Sequence, residues 1–137
     1  MISGTGRYAL RILGYLADRQ GAWIQTHQIA SDTGIPANYL SKILNQLRKQ
    51  GIVASQKGRG GGFTLRREGL DRPLAEVVAV FDGRRSEGEC LFGIEHCDAA
   101  KPCPLHDWWD RVRGSYEEML RTVRIRDLRS TSREVRA

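Results

Sequence analysis

The side chains best suited to chemistry in this 137-residue chain are its three cysteines, which lie in one segment. Cys90, Cys97 and Cys103 form the pattern C-x6-C-x5-C, and His106 follows the last cysteine by three positions. Thiolates favour iron–sulfur clusters or zinc, and an imidazole can complete either set of ligands. We therefore predict that these four side chains bind one metal centre.

Other roles for these residues stay open but are less favoured. Unrelated thiols seldom gather in one Gly- and Pro-containing segment of an otherwise cysteine-free chain. Structural zinc sites usually include a C-x2–4-C pair, and both gaps here are longer. An odd number of cysteines and the lack of a secretory signal argue against a disulfide and predict a reducing cytoplasm. His106 could instead cap a helix, and the weaker candidate ligands are Glu89, Glu95, His96 and Asp98.

Basic side chains are concentrated in the middle of the chain. The net charge is +6, and the stretch from Lys42 to Arg67 holds seven basic residues without any Asp or Glu. A local basic block of this kind is typical of proteins that bind a polyanion. The longest apolar run, Val77 to Phe81, is far shorter than the ~20 residues of a membrane span. We therefore predict a polyanionic partner and no membrane segment.

Helical spacing of apolar residues predicts three helices in the first part of the chain. The first is indicated by the apolar pattern of residues 8–16 and ends near Gly21, and the second has Thr26 as its N-cap and stops at Gly34. The third runs from Pro36 to Gly51, where glycine supplies a left-handed C-terminal residue. Its inner face consists of Leu40, Ile43, Leu44 and Leu47. Two short helices joined by a glycine-containing turn predict a helix-turn-helix, with an ordinary helical hairpin as the alternative.

The outward face of the third helix carries polar side chains with many hydrogen-bond donors and no acid. Side chains of this kind suit base edges and phosphates of DNA. The candidate DNA contacts on this helix are Asn38, Tyr39, Ser41, Lys42, Asn45 and Lys49.

Two β-prone segments, residues 52–57 and 63–67, flank a glycine-rich turn and predict a hairpin. The alternating apolar residues argue against a flexible linker, and the sequence lacks the G-x4-G-K-[ST] pattern of a phosphate-binding loop. A hairpin placed directly after a helix-turn-helix is a wing. We expect Lys57 and Arg59 at its tip to contact the DNA backbone or the minor groove.

The C-terminal part of the sequence predicts two more helices on either side of the cysteine segment. A short helix covers residues 74–81 and should bury Phe81, and a long helix begins at Pro104, a favoured residue for a first helical turn. Its apolar stripe consists of Leu105, Trp108, Trp109, Val112, Tyr116, Met119, Leu120 and Val123. So long a stripe predicts burial against the same helix of a second subunit, with folding back onto its own domain as the alternative.

Together these elements predict a mainly α fold with a small β-hairpin wing. A winged helix-turn-helix DNA-binding domain would cover residues 1–82, followed by a cluster-binding loop at 83–104. A dimerisation helix would cover residues 105–126, and a flexible tail residues 127–137. No catalytic residues are predicted, because the sequence contains no signature of a catalytic pocket, and no small-molecule substrate is expected.

With these elements in place, the chain resembles the IscR/NsrR/RirA family of bacterial iron–sulfur transcriptional regulators over nearly its whole length. Residues 6–9 (GRYA) are similar to the start of the family's first helix. Residues 39–44 (YLSKIL) are similar to its recognition helix, and residues 57–63 (KGRGGGF) to its wing. The resemblance implies that the cluster ligands include Cys90, Cys97 and Cys103.

The resemblance also bears on the fourth ligand. In the IscR branch a histidine three residues after the third cysteine completes the set, and His106 stands at that place. In the nitric-oxide-sensing branch the fourth ligand is an acid near the N-terminus of the partner subunit, but the matching residue here is Arg7. The first cysteine gap is x6 where IscR has x5, which leaves the cluster type open, with [2Fe-2S] favoured over [4Fe-4S].

We thus predict a homodimeric, cytoplasmic transcriptional regulator that binds a double-stranded DNA operator. An iron–sulfur cluster would control its operator affinity in response to redox state, iron or nitric oxide. An iron–sulfur electron-transfer protein is the alternative from a different class, but it leaves the acid-free basic block unexplained. A third possibility is a cluster-free DNA-binding regulator that is switched by thiol oxidation or zinc.

Overall fold

The computed structural model describes residues 2–83 and 100–129, which form five α-helices and one antiparallel hairpin. The helices are α1 (Gly4–Asp18), α2 (Thr26–Thr33), α3 (Ala37–Lys49), α4 (Leu74–Asp82) and α5 (His106–Thr122). The strands are β1 (Val53–Gln56) and β2 (Gly62–Leu65). Two 3₁₀ turns cover Arg67–Asp71 and Ile125–Leu128. The predicted mainly helical fold with a small hairpin is confirmed.

The turn between α2 and α3 depends on one glycine. Gly34 has a φ of +72°, and its N–H donates to the Ala30 carbonyl at 2.9 Å, which ends α2. This left-handed conformation is readily adopted by glycine and costly for most other residues. The N-cap of α2 is Gln25 rather than the predicted Thr26. The helix begins earlier because the extended stretch that pairs Ile24 with β2 ends at Gln25.

The apolar faces of α1, α3 and α4 meet in one core. The predicted inner face of α3 is confirmed, because four side chains are at most 2% exposed: Leu40, Ile43, Leu44 and Leu47. Ile12 from α1 and Val77 from α4 are fully buried beside them. Burial of one side chain of this size stabilises the fold by ~1.5–3 kcal/mol. Phe81, expected from the sequence to be buried, is only half-buried.

The wing is the β1–β2 hairpin, and a third short piece of chain pairs with it. Within the hairpin, Val53 pairs with Leu65. The N–H of Ile24 donates to the Phe63 carbonyl, and the N–H of Phe63 donates to the Ile24 carbonyl, both at 2.9 Å. This bridge ties the wing to the segment between α1 and α2. A pairing of one residue leaves no periodic pattern, so the sequence does not predict it.

The C-terminal end of the described chain packs back onto the core formed by α1, α3 and α4. α5 begins two residues after Pro104 and ends at Thr122, not at residue 126 as predicted. The backbone then becomes extended because residues 123–125 pair with residues 72–74. Ile125 is fully buried in the core and begins a 3₁₀ turn that includes residues 127 and 128. These two residues, assigned to a flexible tail from the sequence, are therefore part of an ordered turn.

α5 carries two apolar stripes where the sequence predicted one. Tyr116 and Leu120 pack in or against the core of their own domain, and the half-buried Trp109 lies on the same side of the helix. At about 100° per residue, the other apolar side chains lie on a second stripe whose centre is rotated by about 70° from the first. This outer stripe is 37–70% exposed and consists of Leu105, Trp108, Val112 and Met119. Folding back onto its own domain thus accounts for only one side of the helix.

Several predicted features fall outside the described residues. They include Cys90 and Cys97, the weaker candidate ligands between them and beside them, and residues 130–137 of the predicted tail. Across residues 2–83 and 100–129, none of the helices combines the length and apolar character that a membrane crossing requires.

Candidate DNA interface and metal ligands

The DNA contacts predicted on α3 share one exposed surface. At about 100° per residue, Asn38, Lys42, Asn45 and Lys49 align within about 60° of one another. We call these four residues the α3 row. Ser41 and Tyr39 are exposed on either side of the row, and the buried face of α3 lies opposite. The row presents two amides and two ammonium groups, which are suited to base edges and phosphates respectively.

Tyr39 is positioned by contacts with α1. Its side chain is 52% exposed, and its ring centroid lies 6.4 Å from that of Tyr8. The Arg11 guanidinium lies 5.8 Å from the centroid of the Tyr8 ring, and its Nη2 donates to the Thr33 carbonyl at 2.5 Å. One arginine therefore links α1 to the last residue of α2 and to the ring that contacts Tyr39. α1 thus supports the first turn of α3.

A polar cluster fixes α2 against α1. The Tyr15 hydroxyl donates to the Asp32 carboxylate at 2.5 Å, and the Gln28 amide donates to the same carboxylate at 2.9 Å. Burial and the hydrogen bond to Asp32 raise the pKa of Tyr15 to about 12. The hydrogen bonds from Tyr15 and Gln28 lower the pKa of Asp32. The phenol therefore stays protonated and the carboxylate charged at neutral pH, which preserves the contact.

The wing presents two basic side chains at its tip. Lys57 and Arg59 are exposed in the turn between β1 and β2. The turn is closed by the Gly61 N–H, which donates to the Gly58 carbonyl at 3.1 Å. Gln25 Nε2 donates to the same carbonyl at 3.3 Å. Gln25 was not singled out from the sequence, yet it braces the wing tip from the N-cap of α2.

The two described candidate ligands, Cys103 and His106, lie at the entrance to α5. The His106 N–H donates to the Cys103 carbonyl at 3.1 Å, and both side chains are half-buried. A thiol and an imidazole in this partly shielded position fit the ligand chemistry of an iron–sulfur or zinc centre. In the part of the chain that the structure describes, no three His, Cys, Asp or Glu side chains form a group that could hold a metal ion. The full ligand set stays a prediction, because Cys90 and Cys97 lie outside that part.

The end of α4 is tied to the start of α1. The Ser3 N–H donates to the Asp82 carboxylate at 3.1 Å, and the Ser3 hydroxyl donates to the same carboxylate. Ser3 Oγ also caps the N-terminus of α1 and accepts from the Gly6 N–H at 3.0 Å. Asp82 is the last residue of α4, upstream of the cysteines. Asp82, which precedes the cysteine segment, is therefore tied to the helix that supports Tyr39.

The sequence matches a known family over nearly its full length. Residues 2–131 match the Rrf2 family, described as iron-dependent transcriptional regulators. The chain is 29% identical over 137 aligned positions to the HTH-type transcriptional regulator IscR of Photorhabdus laumondii, covering 93% of this chain and 83% of that protein. The family and this relative are transcriptional regulators, not enzymes.

Two solved structures extend the similarity to the fold. CymR, the global cysteine regulator of B. subtilis, has a TM-score of 0.77 and 29% identity over 93% of this chain and 95% of CymR. IscR of T. potens has a TM-score of 0.69 and 26% identity over 93% of this chain and 85% of IscR. The predicted winged helix-turn-helix architecture and the predicted resemblance to IscR are both confirmed by these similarities.

Proposed function

The chain belongs to the Rrf2 family of DNA-binding transcriptional regulators, and from this membership we propose that it is a homodimer whose operator affinity depends on an iron–sulfur cluster. The observation that carries the proposal is that one chain joins an acid-free row of donors on α3 to a thiol and imidazole at the start of α5. The description of the family as iron-dependent supports a role for the thiol and the imidazole as iron ligands. We place this activity in the cytoplasm.

In this proposal α3 enters the major groove of the operator and the wing lies on the adjacent backbone or minor groove. Asn45, in the middle of the α3 row, is the best placed residue to make a two-point contact with adenine, worth ~1–3 kcal/mol of discrimination. Lys42 and Lys49 flank it and would contact phosphates on either side. Lys57 and Arg59 at the wing tip would add sequence-independent affinity.

The outer stripe of α5 is the surface that we assign to the dimer. Its residues are separated by three, four and seven positions, which is the spacing of a helix that packs along a partner helix. Trp108, at 70% exposure, is the largest exposed apolar side chain on it. The other side of α5, which carries Tyr116 and Leu120, already packs against its own domain where α5 meets α4. It is therefore not available for the dimer interface. The proposed dimer interface therefore consists of Leu105, Trp108, Val112 and Met119.

Cys90, Cys97, Cys103 and His106 are the ligands that we propose for the cluster. When bound, an iron–sulfur cluster supplies a centre that responds to oxidants, iron supply or nitric oxide. The backbone contact between His106 and Cys103 fixes these two donors relative to the first turn of α5. Asp82 anchors the other end of the cysteine segment to α1. A change in the ligand set can thus alter the angle between α5 and the DNA-binding domain.

The proposal is tested by comparing protein with and without the cysteine ligands. Cys90→Ala, Cys97→Ala and Cys103→Ala should each abolish the visible iron–sulfur absorption of anaerobically purified protein, and His106→Ala should weaken or shift it. Operator affinity should change by about 5- to 150-fold, which corresponds to ~1–3 kcal/mol of coupling. Iron, sulfide and operator titrations on matched samples measure both effects.

A matched control is His27→Ala, because His27 is exposed on α2 and lies far from Cys103 in sequence. This variant should keep the spectrum of the wild-type protein. A full spectrum in any of the three cysteine variants would contradict the proposed ligand set. Equal operator affinity with and without the cluster would contradict the switch.

The role of the wing leads to a prediction about salt dependence. The double variant Lys57→Ala, Arg59→Ala should weaken binding to all DNA sequences alike, since these two side chains bind phosphates. The slope of log affinity against log salt concentration should fall by about 0.9 for each phosphate that the variant no longer neutralises. The control is Arg121→Ala, Arg129→Ala, which removes two exposed charges outside α3 and the wing. An unchanged salt slope in the wing variant would exclude the wing as a DNA contact.

A second candidate function is a regulator of the same fold that responds without a cluster. It is favoured by the similarity to CymR, a global cysteine regulator whose TM-score to this chain is higher than that of IscR. In that case Cys103 would respond by thiol chemistry and no bound iron would be needed. Iron and sulfide analysis of the anaerobic protein separates the two candidates, because only the first requires stoichiometric amounts of both.

A further inference from the structure

The chain leaves α5 through a short pairing with the residues that precede α4. The Leu74 N–H donates to the Val123 carbonyl at 2.9 Å, and the Ile125 N–H donates to the Arg72 carbonyl at 3.0 Å. Pro73 and Arg124 lie opposite each other between these two hydrogen bonds. The C-terminal end of α5 is therefore fixed to one short stretch, residues 72–74, which we call the joint.

Side chains on both sides reinforce the joint. The guanidinium of Arg124 donates to the Asp71 carbonyl, and that of Arg126 pairs with the Asp71 carboxylate. Ile125 is fully buried against the core, and Leu120 in the last turn of α5 is only 8% exposed. These buried and paired side chains hold the end of α5 and the joint together as one unit.

Arg72 extends this unit to the recognition helix. Its Nη1 donates to the Gln50 carbonyl at 2.8 Å, and its Nε lies 2.8 Å from the Glu76 carboxylate. Gln50 is the C-cap of α3. A helix C-terminus has unsatisfied carbonyls and a partial negative charge, so a guanidinium is a favourable partner there. Arg72 therefore holds the end of α5 through its backbone and the end of α3 through its side chain.

A contact at the C-terminus of α3 can change the position of the opposite end of the helix, which binds DNA. α3 has 13 residues, so it is about 20 Å long, and a tilt of about 10° at one end moves the other end by about 3 Å. A shift of that size is comparable to the rise between neighbouring base pairs, about 3.4 Å. The tilt of α3 relative to the dimer helix thus decides which separation of half-sites the two recognition helices can reach.

We propose that Arg72 is a positioning residue that couples α5 to α3 and thereby sets the half-site spacing that the dimer recognises. This inference rests on the proposed function, since it requires dimerisation through α5 and DNA binding through α3. Arg72 itself makes no contact with DNA in this scheme. Its loss should therefore broaden the tolerated spacing and leave the affinity for a single half-site unchanged.

The test uses palindromic operators selected by the wild-type protein from random DNA, with the centre then lengthened by one or two base pairs. Wild-type affinity should fall by at least about 10-fold on lengthened operators, because the two recognition helices must lie close to one helical turn apart. We call this fall in affinity the spacing penalty. For Arg72→Ala the spacing penalty should be smaller by at least about 3-fold, which is within the range of coupling effects between linked sites. Sedimentation and single-half-site affinity should match the wild-type values.

The control is Arg66→Ala, which removes an exposed side chain whose Nε lies 3.9 Å from the Glu68 carboxylate. Even if Arg66 touches a phosphate, its loss weakens binding at every spacing alike and leaves the penalty unchanged. Arg72→Lys, which can keep one of the two contacts, should give an intermediate penalty and serves in place of Arg72→Ala if that variant does not fold. A penalty identical to that of the wild type in both Arg72 variants would overturn the inference alone. A wild-type monomer, or a wild type without any selected operator, would overturn the proposed function as well.

Discussion

Replacing Gly62 with Ala should detach the wing from the segment between α1 and α2. An added Cβ at this position would lie 2.1 Å from the Ile24 carbonyl oxygen, and φ is +123°. The obstacle is backbone, so it cannot rotate away as a side chain would. Backbone strain and overpacking together should lower the free energy of unfolding by ~2–5 kcal/mol, measured by urea denaturation.

The same substitution should weaken DNA binding at least as much as the loss of Lys57 and Arg59, because it displaces the whole tip. Gly60→Ala is the matched control in the same turn. Gly60 also has a positive φ, +75°, but an added Cβ would meet nothing within 4 Å. Its cost should be limited to the left-handed strain, ~1–2 kcal/mol. If the two variants were equally stable, steric overlap with the Ile24 backbone would not be the reason that position 62 requires glycine.

Ile125→Ala should destabilise the DNA-binding domain although the residue lies beyond the end of α5. Ile125 is fully buried, and its removal leaves a cavity among residues of the core. Substitutions of this type lower the free energy of unfolding by ~2–5 kcal/mol. Urea denaturation measures the loss, and the circular dichroism signal of the helices should disappear in one transition at lower urea concentration.

Arg129→Ala provides the comparison for Ile125→Ala, since Arg129 is exposed at the end of the same turn. Exposed substitutions of this kind change stability by about 0.5 kcal/mol or less. If Ile125 belonged to a frayed tail, both variants would behave alike. Such a result would remove the argument that α5 is fixed to the core at its C-terminal end.

The parts of the fold that the sequence predicted well are those with a local period. The inner face of α3 repeats every three or four residues, and Gly34 and Gly51 mark the helix ends by a conformation that glycine favours. The missed parts are contacts between residues far apart in the chain. Ile24 with Phe63 and Arg72 with Gln50 each involve single residues, so no repeating pattern reports them.

The candidate site was likewise predicted only in part. The cysteines were found by their number and clustering, and the α3 row was found by its lack of acid. The division of α5 into two stripes was not predicted, because apolar residues on adjacent faces merge into one pattern when they are three or four positions apart. Only the burial of Leu120 and the exposure of Trp108 distinguish the face that meets the domain from the outer face.

The pairing of Pro73 with Arg124 joins residues that are 51 positions apart, and it therefore closes a loop that contains every candidate cluster ligand. The entropy of closing a loop grows only with the logarithm of its length, so doubling this loop would cost about 0.6 kcal/mol. One inserted residue between α4 and α5 would cost far less. Insertions and deletions can accordingly change the spacing of the cysteines during evolution without unfolding the DNA-binding domain. The x6 gap between Cys90 and Cys97 and the x5 gap between Cys97 and Cys103 both lie within this loop.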